Sequence, residues 1–160
     1  MKKNIITILL FLVVLAGMAY YFNYKTIERK IVYADTIKLF NAYHFKTDME
    51  KSSQTALSKL KNELDSAEVM YKVNSSDPVM QNLYMEKQQR WSEGYNAINK
   101  EINEKVWERL NPLINKFGKE EGFELMIGAN GMGTVLYASE VRDVTDDLIR
   151  YVNTNYEKGN

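Results

Sequence analysis

Two long, almost uninterrupted helical stretches constrain this chain most. From Thr36 to about Val73 there is no proline or glycine, and Lys, Glu, Asn, Gln, Leu and Met dominate residues 35–117. Most of these side chains lose little freedom in a helix, so the composition favours long helices. Within the first stretch, Leu57, Leu60, Leu64, Ala67 and Tyr71 are spaced 3, 4, 3, 4. That spacing marks a helix packing lengthwise on a partner. Asn74-Ser75-Ser76-Asp77-Pro78 reads as a turn. Asp77 is placed to cap the next helix, and Pro78 to take its first position, where a missing N–H is harmless. The second helix is expected from Pro78 to about Lys119. Its apolar stripe is Trp91, Tyr95, Ile98 and Ile102, continuing after a one-residue slip through Val106, Leu110, Leu113 and Phe117. At ~1.5 Å per residue, each helix would be about 55–60 Å long. A short turn between two such helices predicts an antiparallel hairpin. Pro112 falls inside the second helix and is expected to kink it.

Short apolar runs flank the hairpin. Ile31-Val32-Tyr33-Ala34 reads as a strand, and Asp35 as the cap of the first helix. Glu120-Glu121-Gly122 ends the second helix. Phe123–Ile127 reads as a half-buried strand, Asn130-Gly131-Met132-Gly133 as a hairpin turn, and Thr134–Ala138 as the returning strand. Thr145 is expected to cap a last helix, with Asp146 and Asp147 favourable in its first turn and Leu148, Ile149 and Val152 on its apolar face. The order is β, long α, long α, β, β, α. The first strand must return to the last two across the hairpin, so the strands are expected to form one small body from which the hairpin projects. The fold class is α+β, mainly α. The body is placed at residues 31–45 and 106–156, and the helical arm at 46–105.

Residues 1–24 read as a membrane-targeting segment. Lys2 and Lys3 precede 18 uncharged residues, Ile5 to Phe22. Two readings stand. The small residues around Ala16 and Ala19 offer signal-peptide cleavage sites. Alternatively, the run is at the lower margin for a transmembrane helix, and Tyr20, Tyr21, Phe22 and Tyr24 resemble an interfacial aromatic belt. Either way residues 25–160 lie outside the cytoplasm: on the periplasmic side of the inner membrane if anchored, or free in the periplasm if cut.

Composition removes other functions. Lys plus Arg number 21 against 21 Asp plus Glu, which provides no basic footprint for nucleic acid. There is no cysteine and a single histidine, His44, so thiol chemistry and a typical zinc site are excluded. The glycine-rich run Gly128 to Gly133 lies between two expected strands and lacks a phosphate loop's Gly-Lys-Ser/Thr ending. No enzyme signal and no cofactor emerge. Met49, Met70, Met80 and Met85 lie on the arm with Tyr71 and Tyr84. They read either as helix seam or as an adaptable apolar surface, because Met repacks against varied partners.

The stretch Ile31 to Phe40 resembles the opening strand and helix start of the Skp/OmpH family of periplasmic chaperones. Phe123 to Val152 resembles the family's closing segment, most specifically Val135-Leu136-Tyr137-Ala138 and then Asp143-Val144-Thr145 leading into Leu148-Ile149. The resemblance spans residues 31–156 in architecture. It implies a homotrimer whose strands assemble a barrel-like body, with Val32, Leu39, Phe40, Leu125, Ile127, Val135, Leu136 and Tyr137 as body residues. Three coiled-coil tentacles would hang from that body. It also implies ATP-independent holding of unfolded outer-membrane or other envelope proteins; the adaptable side chains Met49, Met70, Tyr71, Met80, Tyr84 and Met85 of the arm are then the expected client surface. The alternative is an anchored spacer of an envelope complex that holds no clients.

Overall fold

The computed structural model describes residues 11–21 and 31–159. Residues 11–21 are helical and exposed. The rest of the expected targeting segment, 1–10 and 22–24, lies outside the described residues. Among those described, no helix is long and apolar enough to cross a membrane.

The elements in order are β1 (Ile31–Asp35), α1 (Thr36–Ala42), α2 (His44–Val73), α3 (Pro78–Glu120), β2 (Leu125–Ala129), a 3-10 turn (Glu140–Arg142) and α4 (Thr145–Glu157). The chain is mainly helical, with one small sheet, as its composition predicts. It divides into two compact units. One comprises Met1–Leu39 with Asn115–Leu148, the other Phe40–Ile114 with Ile149–Asn160.

The first unit is built on the sheet. β1 and β2 pair in parallel, Ile31 opposite Leu125 through Asp35 opposite Ala129. A parallel pair needs a long crossover, which the intervening helices supply. Val32, Ala34, Leu39, Phe117, Val144 and Leu148 are the buried apolar residues here. Asp35 caps α1 as its sequence indicates: its Oδ1 accepts the N–H groups of Ile37 and Lys38, both at 2.9 Å. The end of α3 closes through Gly122, whose φ of 72° suits glycine. There the Phe123 N–H reaches back to the Gly118 carbonyl and the Gly122 N–H to that of Lys119. Phe117 meets Phe123 edge-on at 5.8 Å, the apolar contact that accompanies such a cap.

Two expectations fail in this unit. The strand after α3 begins later than Phe123 and pairs with β1, not with a returning strand. Residues 134–138 form no strand: Leu136 is 93% exposed and Tyr137 90%. β1's other edge is used by a later segment. Tyr33 bridges Asp143, and the Val144 N–H donates to the Tyr33 carbonyl at 3.0 Å. Thr145 is also not a simple cap. It opens α4, its hydroxyl donates to Asp143, and it accepts the Asp35 N–H at 2.8 Å. This buried hydroxyl ties the strand to the loop ahead of the helix.

The second unit contains α2 and most of α3. Leu64, Ala67, Ile102, Val106 and Leu110 are buried, and Leu57, Leu60, Tyr71, Trp91 and Ile98 are half-buried, so most of both sequence stripes faces inward; Tyr95 is the exception, 46% exposed. Asp77 caps α3 through the Val79 N–H at 2.8 Å, with Pro78 as the first helical residue. α3 continues through Pro112. The expected single helix from Thr36 is broken at Tyr43, which is extended (φ −76°, ψ 121°) and 1% exposed. Asn153 explains the break. Its Oδ1 accepts the His44 N–H at 2.8 Å and its Nδ2 donates to the Ala42 carbonyl at 2.9 Å. One side chain thus replaces the helical bonds lost on either side of the buried ring.

Candidate functional surfaces

The second unit places the predicted arm residues around the loop Asn74–Asp77. Tyr71 of α2 stacks on Tyr84 of α3, with ring centroids at 5.4 Å and planes 5° apart. Nearby, the Glu63 carboxylate meets Lys87 at 3.4 Å and Arg90 at 3.5 Å. Further along, Leu60 covers the backbone at Gly94, where an added Cβ would collide with its Cδ1. Positions that descend along α2 thus meet positions that ascend along α3. Met80 is half-buried, whereas Met70 and Met85 are exposed. Met49 lies on the same helix as Met70 but about 30 Å away along its axis, at ~1.5 Å per residue.

Sequence reasoning named Val73 near the arm's tip but missed Val69 and Val79 beside it. Val69, Val73 and Val79 are exposed, Val73 to 83%. They do not belong to the heptad stripes, and that is the signal that marks them: an apolar residue off the seam, beside a helix end, has no helix to cover it. A groove of about 780 Å³ is lined on α2 by Ser58, Asn62, Ser66 and Met70 and on α3 by Leu83 and Lys87.

The charges around these residues pair off. Residues 46–100 hold eight Lys or Arg and eight Asp or Glu. Lys61 with Asp65 and Lys72 with Glu68 are partners one helical turn apart. In each case the hydrogen bond to the carboxylate pushes the ammonium pKa up, so these lysines stay cationic and matched. The surface offers apolar contact without a net field.

At the other end of α2, Tyr43, Phe45 and Tyr156 form an aromatic cluster with centroids 5.7–6.0 Å apart. The Arg109 guanidinium lies 4.2 Å from the centre of the Phe45 ring. Phe40, expected among the body residues, stacks on Trp107 at 5.7 Å.

The first unit holds a second surface. Val32 and Leu39 are interior residues of the single chain, and Ile127 and Val135 are half-buried. Leu125, Met132, Leu136, Tyr137 and Val141 are exposed. β2 has β1 on one side and no strand on the other among the described residues.

Residues 78–152 match the family described as outer membrane protein (OmpH-like). Over these residues the chain is similar to an OmpH-like domain. No curated protein matches the chain. The OmpH-like match starts at Pro78, the first residue of α3, and ends at Val152 within α4. It therefore includes β2 and the exposed loop after it. β1 and α2 precede the match, yet β1 completes the sheet and α2 supplies Tyr71 and Glu63 to the contacts with α3.

Proposed function

We propose that this OmpH-like chain is an ATP-independent holdase for unfolded outer-membrane or other envelope proteins, acting on the periplasmic side of the inner membrane. The family carries the chaperone reading. The observation that carries the client surface is the group of exposed apolar side chains beside Asn74–Asp77: Val69, Met70, Val73, Val79 and Met85. Together with Met80, Tyr71 and Tyr84, and with Met49 farther along α2, they offer pliable apolar contacts suited to varied apolar segments. Unfolded β-barrel strands present such segments, with apolar residues alternating along the chain.

α2 and α3 act as an antiparallel hairpin, the coiled-coil tentacle. The paired contacts Tyr71–Tyr84, Glu63–Lys87 and Leu60–Gly94 support that reading. Three chains assemble through a body at residues 31–45 and 106–156, and the exposed Leu125, Leu136 and Tyr137 support association through that part of the chain. Three arms raise the effective concentration of contacts, so each contact is weak and release needs no nucleotide. The N-terminal segment tethers the trimer if it is retained.

Crosslinking in cells tests the role. The holdase reading expects β-barrel or other envelope proteins caught in unfolded form on arm residues 46–105. A single folded partner, captured at fixed stoichiometry and with no unfolded chain, supports the spacer reading instead.

A further inference from the structure

The loop after β2 carries an Asn-Gly pair whose geometry goes beyond the turn it was expected to make. We propose that Asn130 is a site of spontaneous succinimide formation, converting its amide to an aspartyl or isoaspartyl residue in the folded protein. The Asn130 Oδ1 accepts the Met132 N–H at 3.0 Å and lies 3.4 Å from the Thr134 hydroxyl. Both donors draw electron density from the carboxamide and make its Cγ more electrophilic. The Nδ2 has no hydrogen-bond partner among the described residues and is free to leave. The attacking atom is the Gly131 backbone nitrogen, which also bonds to nothing among the described residues. Gly131 has φ 70° and is exposed, and a Cβ built on it would meet nothing within 4 Å. With no side chain to shield that nitrogen and open space around it, the five-membered ring has room to close.

The step balances without any co-reactant except water. The Gly131 nitrogen gives its proton to solvent base and bonds to the Asn130 Cγ. The Cγ–Nδ2 bond breaks, and nitrogen leaves as ammonia after taking a proton. Water then adds to either ring carbonyl, giving an aspartyl linkage or an isoaspartyl linkage with one more main-chain carbon. Either product adds a negative charge one residue beyond Ala129, whose strand partner is Asp35. The exposed apolar loop of Met132, Leu136 and Tyr137 follows directly.

Asn74-Ser75 provides an internal comparison. Asn74 is exposed, but the following residue has a side chain, and among the described residues no hydrogen bond activates its carboxamide. The full protein is incubated at 37 °C and mildly alkaline pH, then digested and mapped by mass spectrometry and by isoaspartyl methyltransferase labelling. The expected result is a growing amide-to-acid mass gain at position 130, with methyltransferase label there and little at Asn74. Asn130→Gln, whose ring closure is unfavourable, should bring the label to background while the circular dichroism spectrum stays unchanged. An unmodified Asn130 in the folded protein, with conversion of the same sequence as a free peptide, would overturn the proposal, because the fold would then protect the site.

Discussion

Asn153 shows how one residue sets a feature that local sequence hides. Nothing between Thr36 and Val73 breaks a helix by propensity, yet the chain turns extended at Tyr43 because Asn153, 109 residues beyond His44, bonds both sides of the break. Leaving a buried donor and acceptor unpaired costs about 1–3 kcal/mol each. Asn153→Ala should therefore lower stability by a few kcal/mol at most, read as a lower urea midpoint with an unchanged slope. Asp143 makes a second residue-scale prediction. Partial burial pushes its carboxyl pKa up, but hydrogen bonds from the Thr145 hydroxyl and N–H and from Tyr33 outweigh it, so the pKa is lowered. A lowered folded-state pKa contributes stability that is present above the ordinary carboxylate pKa of about 4 and is lost as pH falls through the depressed value. Urea titrations across the acid range should show a shallower acid loss for Asp143→Asn than for the natural protein. The capping roles of Asp35 and Asp77 were readable because a cap and its N–H groups are two or three residues apart.

At the scale of elements, the long helices were legible because a 3, 4 spacing repeats whenever one helix face is covered. The returning strand was not. Thr134–Ala138 has strand composition, yet β2's outer edge carries no strand among the described residues, and β1's second edge pairs instead with Asp143 and Val144. Strand composition therefore located an apolar segment without locating its partner. Gly94 is a corresponding case in α3. Its removal should help an isolated helix by about 1 kcal/mol relative to glycine. Here the added Cβ meets Leu60. Gly94→Ala alone should give little or no stabilisation, whereas in a Leu60→Ala background the same change should stabilise. Thermal unfolding of the four proteins of this double-mutant cycle measures the coupling; simple additivity would mean that Leu60 and Gly94 do not pack together.

At the scale of the whole molecule, a single chain leaves apolar side chains open. Leu136 and Tyr137 are nearly fully exposed, so Leu136→Asp buries no charge in the free chain and should leave its helical spectrum intact. If the trimer forms through this loop, the same change removes apolar contact and introduces repulsion at the interface, and light scattering should report smaller species. A natural protein that stays monomeric at micromolar concentration contradicts the trimer. The client surface is the central claim, and aggregation of a urea-diluted β-barrel protein tests it most directly. The variant changes Met70, Val73, Val79 and Met85 to Ser; all four are exposed, so the Tyr71–Tyr84 stack remains. The natural protein should suppress aggregation at low salt and at about 0.5 M salt alike, since screening weakens only electrostatic attraction. The variant, with its oligomeric state unchanged, should lose most of that protection. Equal protection by the two proteins would contradict the account, and so would protection by the natural protein that disappears in salt.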